Sequence, residues 1–148
     1  MNILFFLTPK SEVAYIFDDY TVRQALEKME YHRYSAVPVL NRQGEYVGTI
    51  TEGDFLWTYK HNLISGEKIA IEHIPVSNIP RRIKNQPIGA NANIEDLFLK
   101  ASNQNFVPVV DDKNVFIGIV TRKDIIQYCI NCANDAEAAK SDVSAASV

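Results

Sequence analysis

Residues 35–54 and 105–124 are two copies of one pattern, and that repeat constrains the fold more than any other feature of the chain. SAVPVLNRQGEYVGTITEGD aligns with NFVPVVDDKNVFIGIVTRKD at an offset of 70 without a gap. Six positions are identical: Val37/Val107, Pro38/Pro108, Val39/Val109, Gly48/Gly118, Thr51/Thr121 and Asp54/Asp124. Upstream the likeness resumes at an offset of 72, with Val22, Ala25, Leu26 and Met29 against Ile94, Leu97, Phe98 and Ala101. Both sets follow the i, i+3, i+4, i+7 spacing of an amphipathic helix. Thr21 and Asn93 stand just before them as N-caps, with Gln24 or Asp96 three residues later.

Each copy therefore predicts a helix, a strand, a polar turn, a strand and a second helix. The strands fall at 37–40 and 46–50 in the first copy and at 107–110 and 116–120 in the second. Residues 41–45 and 111–114 between them have hairpin composition. The second helices are expected from about Glu52 to His61 and from about Arg122 to Asn131. The organisation read from this is a first repeat over 1–61, a linker over 62–76, a second repeat over 77–131 and a disordered tail over 132–148, rich in Ala and Ser. One such unit cannot cover both faces of its own sheet. Two can, packed sheet to sheet, so the expected fold is α+β with pseudo-twofold symmetry.

Composition narrows the function classes. A chain of 148 residues that is 47% hydrophobic and 22% charged is globular rather than disordered. Its net charge of −3 provides no field for duplex nucleic acid or an anionic membrane, so a phosphate-bearing ligand needs a local basic cluster. The apolar run Ile3–Leu7 is far shorter than the roughly 20 residues that span a bilayer, and no basic stretch precedes it. A cytoplasmic location is expected. Cys129 and Cys132 make one CxxC, and His32, His61 and His73 are scattered, so neither a metal site nor a disulfide framework is expected.

Gly-x-x-Thr-x-x-Asp occurs at Gly48–Asp54 and Gly118–Asp124, each at the junction of a strand and a helix. Two chemistries fit. Thr at the N-cap with Asp at N3 is a capping box that satisfies backbone donors. Equally, free N–H groups at a helix start suit an anion, and a carboxylate there can accept two hydrogen bonds from a sugar diol.

The hydrophobic-Pro-hydrophobic strand followed by GxxTxxD, once per repeat, resembles a tandem pair of CBS domains, often called a Bateman module. The resemblance covers about residues 8–131. It implies a cleft between the two sheets that binds an adenosine-containing ligand. In it the Asp holds the ribose hydroxyls and the Thr lies near ribose or phosphate, which points to Thr51 and Asp54 for one site and Thr121 and Asp124 for the other. Adenine is then enclosed by Ala14, Tyr15 and Ile16 with Ser35, Ala36 and Val37, or by Pro87–Ile88 with Asn105–Val107. By the same resemblance the two helix starts face each other, so Arg122 and Lys123 would reach phosphates of the Asp54 site while Glu52 repels them from the Asp124 site. Ala36 against Phe106 points the same way, because Phe fills space adenine needs. The expectation is one good site on Thr51, Asp54, Arg122 and Lys123, with the alternative that Arg122 and Lys123 are simply solvated.

SNIPRR followed by QPI, with TRK after the last strand, is similar to small stand-alone bacterial CBS proteins that bind cyclic di-AMP. Asp54 is more typical of mononucleotide binders, which leaves AMP, ADP, ATP and cyclic di-AMP open. Arg81, Arg82 and Lys84 either extend the phosphate site or form a solvated surface. No nucleophile–base grouping or phosphate-binding loop suggests an enzyme. The resulting expectation is a non-enzymatic sensor that signals to a separate protein and needs no obligatory cofactor. A homodimer is also expected, with Trp57 and Tyr59 as interface candidates. The alternative is a ligand-independent scaffold.

Overall fold

A computed structural model of the chain describes residues 2–67 and 69–146. In chain order its elements are β1 (Thr8–Pro9), β2 (Ile16–Phe17), α1 (Val22–His32), β3 (Ala36–Leu40), β4 (Tyr46–Thr51) and α2 (Glu52–Ser65), then β5 (Ile88–Gly89), α3 (Ile94–Asn103), β6 (Phe106–Val110), β7 (Phe116–Thr121) and α4 (Arg122–Ala146). Short 3-10 turns precede β1 and lie between α2 and β5. The helix–strand–strand–helix order of each repeat is as expected. A two-residue strand before each first helix is additional: β2 pairs parallel with β3, and β5 parallel with β6.

The hairpins are built by equivalent chemistry. Asn41 Oδ1 accepts the N–H groups of Gln43 and Glu45, and Asp111 Oδ1 accepts those of Lys113 and Val115. Each turn closes on a left-handed residue, Gly44 at φ 83° and Asn114 at φ 63°, the two residue types that reach that region most cheaply. The two turns meet tip to tip: Tyr46 N–H donates to Asn114 O at 3.2 Å, and Phe116 N–H to Gly44 O at 2.9 Å. Beneath them Leu40, Val110, Tyr46 and Phe116, two pairs at the repeat offset, form the buried seam between the halves.

Each repeat's own core is completed by the other's lead-in segment. Ile71, Val76 and Ile79, on the segment that leads into β5, are buried with Val22, Val37, Ile50 and Phe55 of the first repeat. Ile3 and Phe6, from the N-terminus, are buried with Leu97, Val107 and Val120 of the second. β1 extends this exchange by pairing antiparallel with β7, so one sheet runs β1-β7-β6-β5 and the other β2-β3-β4.

Three expectations are corrected. Residues 71–76 of the supposed linker are core rather than spacer, because their apolar side chains close the first repeat. α2 extends to Ser65 and ends at Gly66 in the left-handed conformation, φ 71°. The segment from 132 onward is helical as far as Ala146, continuous with α4; positions 147 and 148 of that tail lie outside the described residues. Alanine has the highest helix propensity, and α4 has already borne the cost of nucleation, so the Ala-rich stretch propagates it. No helix among the described residues is long and apolar enough to cross a membrane.

Candidate functional site

Both GxxTxxD motifs are helix caps. Thr51 Oγ1 accepts the Asp54 N–H at 3.2 Å, and Asp54 Oδ2 accepts the Thr51 N–H at 2.9 Å, a reciprocal capping box. Thr121 Oγ1 accepts the Asp124 N–H at 3.2 Å. The motif glycines leave room for the chain itself. A Cβ at Gly118 would overlap the carbonyl oxygen of Thr8, and one at Gly48 would overlap the guanidinium of Arg81. Each glycine thus admits the lead-in segment of the opposite repeat.

The two carboxylates are not in equivalent states. Asp54 is 3% exposed, and its second oxygen, Oδ1, accepts the backbone N–H of Arg82 at 3.0 Å. Both of its oxygens are engaged within the protein. Asp124 is half-buried and accepts one longer hydrogen bond, from Thr8 Oγ1 at 3.5 Å.

Two clefts are lined by residues of both repeats. One, of 390 Å³, is lined by Ala14, Ser35, Ala36 and Pro38 on one side and by Phe106, Ile119 and Thr121 on the other, with Thr8 and Arg33 at its edges. Thr8 also lines an adjoining groove of 330 Å³ that holds Asp124. The other cleft, of 540 Å³, lies between β4 (Gly48, Thr49) and residues 79–87, and is lined by Arg81, Lys84 and Gln86. Tyr46 lies at its base, its hydroxyl paired with Thr49 Oγ1 at 2.8 Å and donating to Asn85 O at 2.9 Å. Burial pushes the Tyr46 phenol up to about 12, against the lowering effect of the Thr49 hydrogen bond.

This geometry rearranges the expected site. Ala14, Ser35 and Ala36 do share a cleft, but with Thr121 rather than with Thr51 and Asp54, because each lead-in segment crosses to the other repeat's sheet. Ile16 and Val37 are core. Tyr15 packs on the seam between halves, its carbonyl accepting from Lys28 Nζ and its ring flanked by the Lys10 and Lys28 ammonium groups. Arg122 turns away from Asp54 to the end of α3, its Nε donating to Ala101 O at 2.7 Å and Nη2 to Ser102 O at 3.3 Å. Lys123 is exposed. Phe106 lines the cleft beside Ala36 without filling it. Sequence reasoning missed Thr8 and Arg33, which carry no motif, and placed no role on the Arg82 backbone; the PRR run was its only signal.

A family model for the CBS domain matches residues 6–60 and 71–131. The chain belongs to the CBS-domain family. It is a tandem CBS pair, and its fold is that of solved CBS pairs. The structure of CbpB in complex with c-di-AMP superposes with a TM-score of 0.78 at 26% identity, covering 93% of this chain and 89% of that one. CbpB from Streptococcus agalactiae gives 0.74 at 27% identity, covering 90% and 82%. The protein MJ1225 of Methanocaldococcus jannaschii is 26% identical over 142 residues, 88% of this chain and 50% of that relative, so the chain spans half its length.

Proposed function

We propose that this CBS pair is a non-enzymatic regulatory module that senses an adenosine-containing nucleotide, AMP, ADP, ATP or cyclic di-AMP, and signals to a separate protein. The carrying observation is the 390 Å³ cleft, whose Ala14, Ala36, Pro38 and Ile119 walls suit a flat apolar base while Ser35, Thr121 and Arg33 supply polar partners. Asp124, its carboxylate held only at 3.5 Å beyond Thr8, is the ribose ligand in this reading, in place of the saturated Asp54. The likeness to CbpB, solved with c-di-AMP, supports the same ligand class. Binding draws the two halves together across the cleft, and a partner reads the bound shape through its differential affinity.

The full engagement of Asp54 favours a second reading, a ligand-independent interaction scaffold in which the motifs serve only as caps. Calorimetric titration with the four nucleotides separates the two. Under the sensor reading one of them binds and, at 100 times Kd, raises stability by about 2.7 kcal/mol. Ala36→Phe, which fills the cleft, and Asp124→Asn each weaken that binding at least about tenfold, one hydrogen-bonded charge or one blocked wall being worth about 1.4 kcal/mol or more. Absence of binding by all four leaves the scaffold.

A further inference from the structure

Cys129 and Cys132 are the chain's two cysteines, both free and both exposed, and neither lines the clefts described above. They stand three residues apart on α4, where that helix leaves the body. Ile125 and Tyr128 are packed on the second core, and from Cys129 onward the helix is exposed. Tyr128 lines the groove that holds Asp124, and its ring meets Phe6 edge-on at 5.0 Å. A hydrogen bond with Cys132 is the main cause that holds its phenol above the ordinary value. One of the two thiols therefore reaches the groove wall through Tyr128.

The helix sets the geometry of the pair. Residues three apart on an α-helix project about 60° from one another around the axis, with Cα atoms about 5 Å apart. A disulfide spans Cα separations of roughly 4.4–6.8 Å. The two sulfurs can therefore bond by side-chain rotation, with no turn of α4 unwound. A metal fits less well. Among the described residues no third His, Cys, Asp or Glu stands with them to hold an ion, so a tetrahedral ion would find two of its four ligands. What two exposed thiols one turn apart complete between themselves is a disulfide.

We infer that Cys129 and Cys132 are a reversible modification site whose co-reactants are small-molecule disulfides and thiols. One thiolate attacks the small disulfide, forming a mixed disulfide and releasing one thiol. The second thiolate then attacks the protein sulfur of that mixed bond, joins Cys129 to Cys132 and releases the other thiol. Two electrons pass from the pair to the small disulfide, and the two protons leave on the released thiols. Excess thiol reverses both steps, and exposure keeps the bond open to it. The inference stands apart from the nucleotide reading, since it needs no ligand in either cleft.

The test uses the full chain with oxidised glutathione as the probe. The native chain is expected to go from two titratable thiols to none and to lose the mass of two hydrogens without keeping glutathione. It is expected to remain a single chain on non-reducing denaturing gels and to hold its far-UV ellipticity, because no turn unwinds. Cys129→Ser and Cys132→Ser are each expected to keep one glutathione. A chain carrying Cys132→Ser with Asn131→Cys places its pair on opposite sides of the helix, and is expected to close at least about tenfold more slowly. Glutathione retained on the native chain, disulfide-linked chains, lost helix, or equally fast closure by the displaced pair each overturn the inference.

Discussion

Asp54 and Asp124 occupy the same motif position and cap equivalent helices, yet their surroundings assign them different work. Asp54 has two backbone donors and almost no exposure; Asp124 has one distant hydroxyl. The difference lies in what crosses each motif glycine, the Arg81 side chain at Gly48 and the β1 strand at Gly118. Nothing in GxxTxxD itself distinguishes them. Tyr46 shows how a residue can be legible in type and not in state. The repeat pairs it with Phe116 as an apolar seam position, which it is, but only its packed surroundings make its hydroxyl a buried bridge between Thr49 and Asn85. With the phenol pushed up to about 12, the folded protein keeps a proton that the unfolded chain releases near pH 10. Stability is then full below about pH 10 and falls as pH rises towards about 12. Urea midpoints measured across that range are expected to fall more steeply for the native chain than for Tyr46→Phe. At neutral pH that variant is about 1–2 kcal/mol less stable, since the Thr49 hydroxyl and the Asn85 carbonyl lose their partner.

Among the elements, those with many residues per period were readable and the shortest were not. α1 and α3 declare themselves by four spaced apolar positions and a cap, and both caps form, Thr21 accepting from Gln24 N–H and Asn93 from Asp96 N–H. β2 and β5 contain two residues each, too few to show any alternation, and exist because β3 and β6 offer them an edge. α4 outruns its core contacts. Its first turns pack Ile125 and Tyr128 on the second core, and from Asn131 to Val143 it is exposed on every side. Ending the chain after Ala133 is therefore expected to remove helical signal in far-UV circular dichroism while shifting unfolding free energy by less than about 0.5 kcal/mol. A larger loss would show that the projecting helix is packed against something, a second copy of the chain being the first to test by sedimentation.

The molecule as a whole is two repeats that cannot be separated along the chain. The N-terminus closes the second core and residues 71–79 close the first, so cutting between the repeats would strip both. Unfolding is accordingly expected as a single transition. Phe6 tests this: it is 5% exposed and stacks edge-on with Tyr128 at 5.0 Å and Phe98 at 6.1 Å, all in the second half. Phe6→Ala is expected to cost about 3–5 kcal/mol, and the loss should lower the melting reported by Trp57, in the first half, as much as that of the whole-chain ellipticity. Separate transitions would mean that the seam of Leu40, Tyr46, Val110 and Phe116 does not couple the halves.

The repeat, its helix periods, its turn residues and the two capping motifs were determined by the sequence, because each depends on residues within a turn or two of one another. Family membership followed from those same local patterns. The pairing of lead-in segments with opposite sheets was decided only by the tertiary structure. So was the company each motif carboxylate keeps: Asp124 with Thr8, and Asp54 with Arg82. Those contacts join residues 116 and 28 positions apart in the chain, and two nearly equal halves offer the chain either partner for each. Which one is taken is settled by the burial of Ile3, Phe6, Ile71 and Ile79, a condition of packing that no local pattern records.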